Sequence, residues 1–192
     1  MRFQPFALGK RVWAGLAVST LAVVGVSAVV APESAQAICR GSGFTIFGGV
    51  DPELVLPYRL CNNEPRSGNA VYQLEVPGDR IIGAIIEIEV NYNPIFTSPF
   101  RGGRFNIDEI EVVQENGDRV EIDDVIWDED GSRIEIYPTE PIPAATDFTI
   151  MLNDVYNPSR YQQNLFNLKV LYQGEPLRRT VGTWPLEISA DD

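Results

Sequence analysis

The stretch from Val120 to Tyr137, VEIDDVIWDEDGSRIEIY, sets two runs of β-prone residues on either side of Asp128-Glu129-Asp130-Gly131. In the second run, Ile134 and Ile136 alternate with polar or charged neighbours, which is the two-residue period of a strand with one buried face. Asp and Gly between the runs favour a tight turn, because the Asp carboxylate can hydrogen-bond the nearby backbone and Gly, which has no side chain, tolerates positive φ. The stretch therefore predicts a β-hairpin.

The same pattern continues in both directions along the chain. Asn116-Gly117 predicts a second hairpin, since this dipeptide readily takes positive φ at both central turn positions. No helical period of ten or more residues interrupts the pattern. Short runs at this spacing predict an all-β fold, an antiparallel β-sandwich of two sheets, with a small β-barrel as the alternative. The other predicted strands are Phe44–Phe47, Val71–Val76, Ile82–Val90, a run through Ile107–Val113, a run through Phe148–Leu152, Leu165–Tyr172 and Thr180–Ile188.

The N-terminal segment has the features of an export signal. Arg2, Lys10 and Arg11 give it a positive start, the run Val12–Val30 carries no charge, and Ala35-Gln36-Ala37 offers small residues to a signal peptidase. A membrane anchor is the alternative, but this run is rich in Ala, Gly and Ser. We predict that residues 1–37 are a cleaved secretory signal peptide. Residues 38–192 are then a single β-sandwich domain with no membrane span.

Two cysteines, Cys39 and Cys61, are present in the chain, and both lie after the predicted cleavage point. In an oxidising compartment two cysteines make one bridge, so we predict a Cys39–Cys61 disulfide. A redox pair is the weaker alternative, because the close Cys-x-x-Cys spacing is absent. Lipid attachment at Cys39 is disfavoured by the bulky Ile38 before it.

Composition excludes several classes of function. The chain carries a formal net charge of −12, which disfavours nucleic acid and anionic lipid surfaces as partners. It contains no histidine, and this excludes Ser-His-Asp triads, Cys-His pairs and histidine metal sites. No phosphate-binding or dinucleotide-binding motif occurs either. The sequence thus predicts no catalytic residue, no metal ligand and no cofactor.

Carboxylates are plentiful, and they leave two alternatives open. The densest group could suit calcium, which prefers hard oxygen ligands, although Ile126 breaks the spacing of an EF-hand loop and turn chemistry explains Asp128–Gly131 without a metal. A pair of carboxylates for glycoside hydrolysis is also conceivable, but no two positions stand out. The group comprises Asp123, Asp124, Asp128, Glu129 and Asp130.

The segment Tyr92–Phe105 combines aromatic residues, two arginines and asparagines after an apolar run. This composition is typical of recognition surfaces, so we predict a binding loop with Tyr92, Phe96, Phe100 and Arg104 as its contact residues. In the alternative, the aromatic rings fold back and plug one end of the sandwich. A second polar connection, Asn157–Asn164, is a further candidate for an exposed loop.

A series of short motifs, spread over residues 44–188, resembles a cyanobacterial family of exported proteins known only as a domain of unknown function. The resemblance implies an Ig-like sandwich in a bacterial envelope or thylakoid lumen, and it brings no catalytic or binding residues with it. The chain departs from the family pattern in Tyr92–Phe105 and in the cysteine-bearing arm. The motifs are Phe47-Gly48-Gly49-Val50-Asp51-Pro52, Val76-Pro77, Val125-Ile126-Trp127, Ile134-Glu135-Ile136-Tyr137-Pro138, Pro141-Ile142-Pro143-Ala144, Asn157-Pro158 and Leu177-Arg178-Arg179-Thr180-Val181-Gly182-Thr183-Trp184.

Together these features predict an exported, non-enzymatic binding or structural module of the cell envelope or thylakoid lumen. Its expected partner is a protein or glycan of that compartment. The alternative functions are a carboxylate-dependent glycan hydrolase and a calcium-dependent adhesion module.

Overall fold

The computed structural model describes residues 39–41 and 50–189. The predicted signal peptide and the predicted strand Phe44–Phe47 lie outside the described residues. Among the described residues, none of the helices has the length and apolar character that a membrane crossing requires.

The described residues form strands joined by turns and by short 3-10 helices at Pro52–Leu54, Gly78–Arg80 and Ile107–Glu109. The strands are β1 Cys39–Gly41, β2 Tyr58–Cys61, β3 Ala70–Val76, β4 Ile85–Tyr92, β5 Ile110–Gln114, β6 Arg119–Val120, β7 Ile122–Asp128, β8 Arg133–Pro138, β9 Phe148–Val155, β10 Gln162–Tyr172 and β11 Arg179–Ile188.

These strands build two antiparallel sheets. One has the order β1-β2-β3-β9-β5-β6 and the other the order β11-β10-β4-β8-β7. Each described sheet keeps two free edges, so the strands do not close into a barrel. The predicted antiparallel β-sandwich is confirmed, and the barrel alternative is wrong.

The core lies between the sheets because the strands alternate in polarity. Along β3 every second residue is buried, from Ala70 to Val76, and β10 repeats this alternation from Asn164 to Tyr172. Tyr72 of the six-stranded sheet and Phe166 of the five-stranded sheet meet with ring centroids 6.2 Å apart. The inner faces of both sheets thus form one hydrophobic core.

Several predicted strand boundaries are wrong. The run predicted through Ile107–Val113 becomes a strand only at Ile110, because Ile107–Glu109 is a 3-10 helix. The strand predicted from Ile82 begins at Ile85, because a 3-10 helix precedes it and Ile82 is 66% exposed. The run predicted from Val120 to Trp127 is divided, with Val120 ending β6 in one sheet and Ile122 starting β7 in the other. An alternating pattern cannot show that the chain changes sheets.

Both predicted hairpins are present. β5 pairs with β6 across Asn116-Gly117, but only Gly117 of this dipeptide has positive φ, at 88°. β7 pairs with β8 around Asp128–Gly131, with Asp128 opposite Arg133. The Asp128 carboxylate accepts a hydrogen bond of 2.8 Å from the Gly131 backbone N–H, which stabilises the turn.

Candidate binding groove

The aromatic residues at the end of β4 and in the segment after it close one end of the sandwich. Phe96 is fully buried and Tyr92 is 4% exposed. The Phe96 ring stacks on Phe105 at a centroid distance of 5.1 Å and meets Phe166 edge-on at 5.2 Å. We call this cluster the aromatic plug: Tyr72, Tyr92, Phe96, Phe105, Trp127 and Phe166.

Two buried hydroxyl groups of the plug have partners. The Trp127 Nε1–H donates a 2.6 Å hydrogen bond to the Tyr92 hydroxyl, and the Tyr72 hydroxyl donates one of 2.6 Å to Asn157 Oδ1. Burial raises the pKa of both tyrosines, more strongly for Tyr72. Both phenols therefore stay neutral, as the low-polarity core requires.

Asn157 joins the plug to the chain segment that follows β2. Its side chain is completely buried, and its Nδ2 donates to the carbonyls of Glu64 at 2.9 Å and Asn62 at 3.3 Å. The prediction of an exposed connection at Asn157–Asn164 is therefore wrong at both ends, where Asn157, Pro158 and Asn164 are buried. The later residues Arg160 and Tyr161 are exposed, as expected.

The polypeptide leaves the plug through Gly102 and Gly103, where space is very limited. A Cβ atom on Gly103 would lie 2.6 Å from the Tyr156 carbonyl oxygen and 2.8 Å from the Phe96 ring. One on Gly102 would lie 2.3 Å from the Ser98 nitrogen. Only glycine lets the backbone pass this close to the plug.

Backbone hydrogen bonds hold two other segments against Tyr156–Ser159. Arg104 and Tyr156 exchange two bonds of 2.9 Å, and the Ser159 N–H donates to the Arg101 carbonyl at 3.0 Å. The Arg66 N–H donates to the Pro158 carbonyl at 3.2 Å. The fold thus brings three arginines, from two distant parts of the sequence, to the same end of the sandwich.

These segments enclose a groove with a volume of about 1260 Å³. We call it the end groove. It is lined by Arg66, Pro94, Thr97, Ser98, Pro99, Phe100, Arg101, Gly102, Gly103, Arg104, Trp127, Glu129, Asp130, Ser132, Tyr156 and Ser159.

The end groove presents unpaired positive charge beside exposed rings. Arg66, Arg101 and Arg104 are exposed, and within the described residues none of them forms an ion pair. Phe100 is 93% exposed and Tyr156 is 42% exposed. An exposed phenylalanine beside free guanidinium groups offers both apolar contact and anion-binding donors.

The four predicted contact residues divide into two pairs. Phe100 and Arg104 line the end groove, whereas Tyr92 and Phe96 lie in the core and have no surface for a partner. The sequence carries no signal for Arg66 and Tyr156, because only the folded backbone places them beside Arg101 and Arg104. Tyr92 and Phe96 fit the alternative in which the rings plug one end of the sandwich. Phe100 and Arg104 remain candidates for the binding loop.

The acidic group between Asp123 and Asp130 is dispersed. Asp128 binds Gly131 and forms an ion pair of 2.7 Å with Arg133, while Glu129 and Asp130 lie at the rim of the end groove. In the described part of the chain, the carboxylates that do converge are Glu87, Glu89 and Glu135, with oxygens within 4.8 Å of one another. We call these three the glutamate cluster.

Cations neutralise the glutamate cluster on the outer face of the five-stranded sheet. Lys169 Nζ lies 3.1 Å from Glu89, and Arg133 Nε lies 3.0 Å from Glu135. Arg178 binds all three glutamates, with a 2.7 Å hydrogen bond from its Nε to Glu87. The glutamates are buried at 4–8% exposure, so these ion pairs offset the cost of burying negative charge.

Glu89 is held in its charged form. Burial opposes ionisation, but the hydrogen bond from Lys169 and the positive charges of Lys169 and Arg178 outweigh it, and the pKa of the carboxyl lies below its ordinary value of 4.5. The general acid of a glycosidase needs a raised pKa, so Glu89 has the opposite property. The arrangement of the cluster is that of an ion-pair network.

The predicted disulfide partners lie on neighbouring strands. β1 and β2 are antiparallel, and the backbone register places Cys39 directly opposite Cys61. A bridge at this position would connect the N-terminal arm to the sandwich.

Comparisons with solved structures gave similar β-folds at low identity. The RrgA Jo.In complex is 13% identical, with 70% of this chain and 79% of that chain covered at a TM-score of 0.39. The collagen-binding domain from a Staphylococcus aureus adhesin is 8% identical, with 77% and 93% covered at a TM-score of 0.37. A DUF4466 family protein from Parabacteroides merdae is 15% identical, with 80% and 45% covered at a TM-score of 0.34.

A comparison with curated proteins gave no match. The sequence motifs resembled a family known only as a domain of unknown function, and this part of the resemblance is confirmed. The model of the family described as Protein of unknown function (DUF2808) matches residues 44–188, and the chain belongs to that family.

Proposed function

We propose that this protein is an exported, non-enzymatic binding module that holds its partner in the end groove. The observation that carries the proposal is a set of three exposed arginines that form no ion pair with any described residue and that line the groove with Phe100. In a chain with a net charge of −12, nearby carboxylates could easily have paired with them. Arginine and exposed aromatic rings are also the residues that contribute most at binding interfaces.

The end groove is supported by a rigid base. Its walls are bonded to Tyr156–Ser159, and Asn157 connects that segment to the buried Tyr72. A groove anchored in this way loses little conformational entropy when a partner binds. Its construction therefore favours binding as the role of this end of the sandwich.

The proposal of a non-enzymatic role rests on the chemistry of the side chains. The chain contains no histidine, and the glutamate cluster is occupied by Arg133, Lys169 and Arg178. The glutamates of this cluster, paired with those cations, do not supply a general acid and a base that face a substrate. Binding needs only the donors and rings that the end groove presents.

We place the module in the periplasm or the thylakoid lumen. The basic start, the uncharged run and the Ala35-Gln36-Ala37 site support export. The alignment of Cys39 with Cys61 is consistent with an oxidising compartment. The family resemblance supports a cyanobacterial source.

Capture of envelope components tests the proposal. The native protein and the double variant Arg101→Ala/Arg104→Ala are immobilised, and capture from envelope extract is quantified for each. We expect the variant to lose at least about tenfold in apparent affinity, which corresponds to about 1.4 kcal/mol.

The control is Arg119→Ala, which removes an exposed arginine at the β5–β6 hairpin, where it pairs with Glu111. This control should capture as well as the native protein, and thermal melting should show that both variants fold. Equal capture by the native protein and the folded double variant would contradict the proposal.

A further inference from the structure

The charges, rings and acceptors of the end groove together indicate which chemical class of partner it takes. We infer that the ligand is an acidic polysaccharide, an extended sugar chain that carries both carboxylates and free hydroxyl groups. This inference rests on the proposed function and names the ligand of the same groove.

The positive charges favour a chain with spaced anions. Arg66 lies in one chain segment and Arg101 and Arg104 lie in another, and each guanidinium has donors that no other described side chain uses. A guanidinium group can bind a carboxylate through two parallel hydrogen bonds. Separate arginines therefore match carboxylates that recur along a polymer.

The overall charge limits how dense those anions can be. The chain carries 27 acidic against 15 basic residues, so most of its surface repels a polyanion. Double-stranded DNA, with about one charge per 1.7 Å, would experience this repulsion along its whole length. A polysaccharide with a single carboxylate on each sugar unit carries charge far less densely and limits the repulsion.

The exposed rings favour sugar units between the arginines. Phe100 is 93% exposed and Tyr156 is 42% exposed, and the half-buried Trp127 also contributes to the wall. The C–H face of a sugar ring is apolar and can pack on an aromatic face, while its hydroxyl groups stay available for hydrogen bonds. The combination suits a ligand that is apolar on one face and polar around its edge.

The acidic rim distinguishes a sugar chain from an acidic peptide. Glu129 and Asp130 line the same groove as the arginines. Their carboxylates would repel the carboxylates of either ligand, but an acidic peptide has few hydroxyl groups to offer them in compensation. Sugar hydroxyls can donate to carboxylates, so the same two residues become acceptors for a polysaccharide.

Calorimetric titration with three probes tests the inference. The probes are polygalacturonate, the neutral glucan dextran, and poly-glutamate of matched length. We expect polygalacturonate to bind the native protein at least about tenfold more tightly than either of the others. Binding should weaken as salt rises, because it depends on arginine.

Variants identify the contacts. Arg101→Ala/Arg104→Ala and Phe100→Ala should each weaken polygalacturonate binding at least about tenfold, while Arg119→Ala should leave it unchanged. Glu129→Gln/Asp130→Asn should improve poly-glutamate binding, because the repulsion between carboxylates falls. Polygalacturonate should gain less affinity from this variant, or lose affinity, because Glu129 and Asp130 also accept hydrogen bonds from its hydroxyl groups. The preference for the sugar polymer should therefore decrease in this last variant.

The other outcomes would overturn the inference in distinguishable ways. Equal or tighter binding of poly-glutamate would indicate an acidic peptide partner, and dextran binding that depends on Phe100 but not on arginine would indicate a neutral glycan. In both cases the groove would remain the binding site. Failure of all three probes would overturn the ligand class, and unchanged capture of envelope components by the arginine variant would also overturn the proposed function.

Discussion

At the scale of single residues, Asn157 connects the hydrophobic core with the end groove. It accepts from the Tyr72 hydroxyl and donates to the backbone of the segment that carries Arg66. All of these groups are buried or close to the core, where an unsatisfied partner is costly. A small polar side chain thereby fixes both the closed end of the sandwich and the position of the groove.

We predict that Asn157→Ala will destabilise the protein by about 2–4 kcal/mol, because several polar groups would lose their partner at once. Urea unfolding followed by circular dichroism measures the change. Asn153→Ala is the control, since it removes one exposed bond of 2.9 Å to the Glu109 carbonyl and should cost under about 1 kcal/mol. Equal losses for the two variants would show that Asn157 has no special role.

Glu89 makes the stability of the fold depend on pH. Its folded pKa is lower than the ordinary value of 4.5, so its contribution is fully present above that pH. The contribution falls as the pH drops through the folded pKa, because the unfolded state then binds more protons than the folded state. Acid should therefore weaken the glutamate cluster.

We predict that Glu89→Gln will lower the melting temperature at pH 7 and that its difference from the native protein will shrink below about pH 4.5. Melting curves recorded from pH 7 to pH 3 measure this difference. Glu140→Gln, at an exposed position, is the matched control and should follow the native curve. A difference that stays constant with pH would contradict the role assigned to Glu89.

At the scale of elements, the sequence predicts strands well where one face is buried. The alternation in Val71–Val76 and Leu165–Tyr172 gives the correct inner faces, because burial enforces a strict two-residue period. The start of β4 and the break at Glu121 are missed, because 3-10 helices and changes of sheet leave no periodic signal. Tyr92 and Phe96, predicted as contact residues, are buried, because an aromatic residue suits a core and a binding surface equally well.

The N-terminal arm provides a test at this scale. We predict that the exported protein contains a Cys39–Cys61 bridge and that Cys39→Ser/Cys61→Ser loses about 3 kcal/mol of stability, for a closed loop of about 23 residues. Mass spectrometry after alkylation without reductant counts the free thiols. Two alkylated thiols in the exported protein would contradict the bridge, and the serine variant is the control because reductant should not change its melting.

At the scale of the whole molecule, charge is distributed unevenly. The chain is acidic overall, and the glutamate cluster on one sheet is neutralised by its own cations. Arginines that have no ion-pair partner in the described part of the chain line the end groove together with Phe100. The net charge of the whole chain argues against anionic partners. The fold nevertheless brings arginines together at the end groove, and this local surface favours an anionic partner.

Photo-crosslinking in the native cell tests most directly whether the end groove is the binding surface. A benzoylphenylalanine residue replaces Phe100, which is 93% exposed, or Leu177, which is 75% exposed and follows the opposite end of β10. We expect irradiation to attach a partner to the protein labelled at position 100 and none to the protein labelled at position 177. Crosslinking from position 177 with none from position 100 would contradict this expectation.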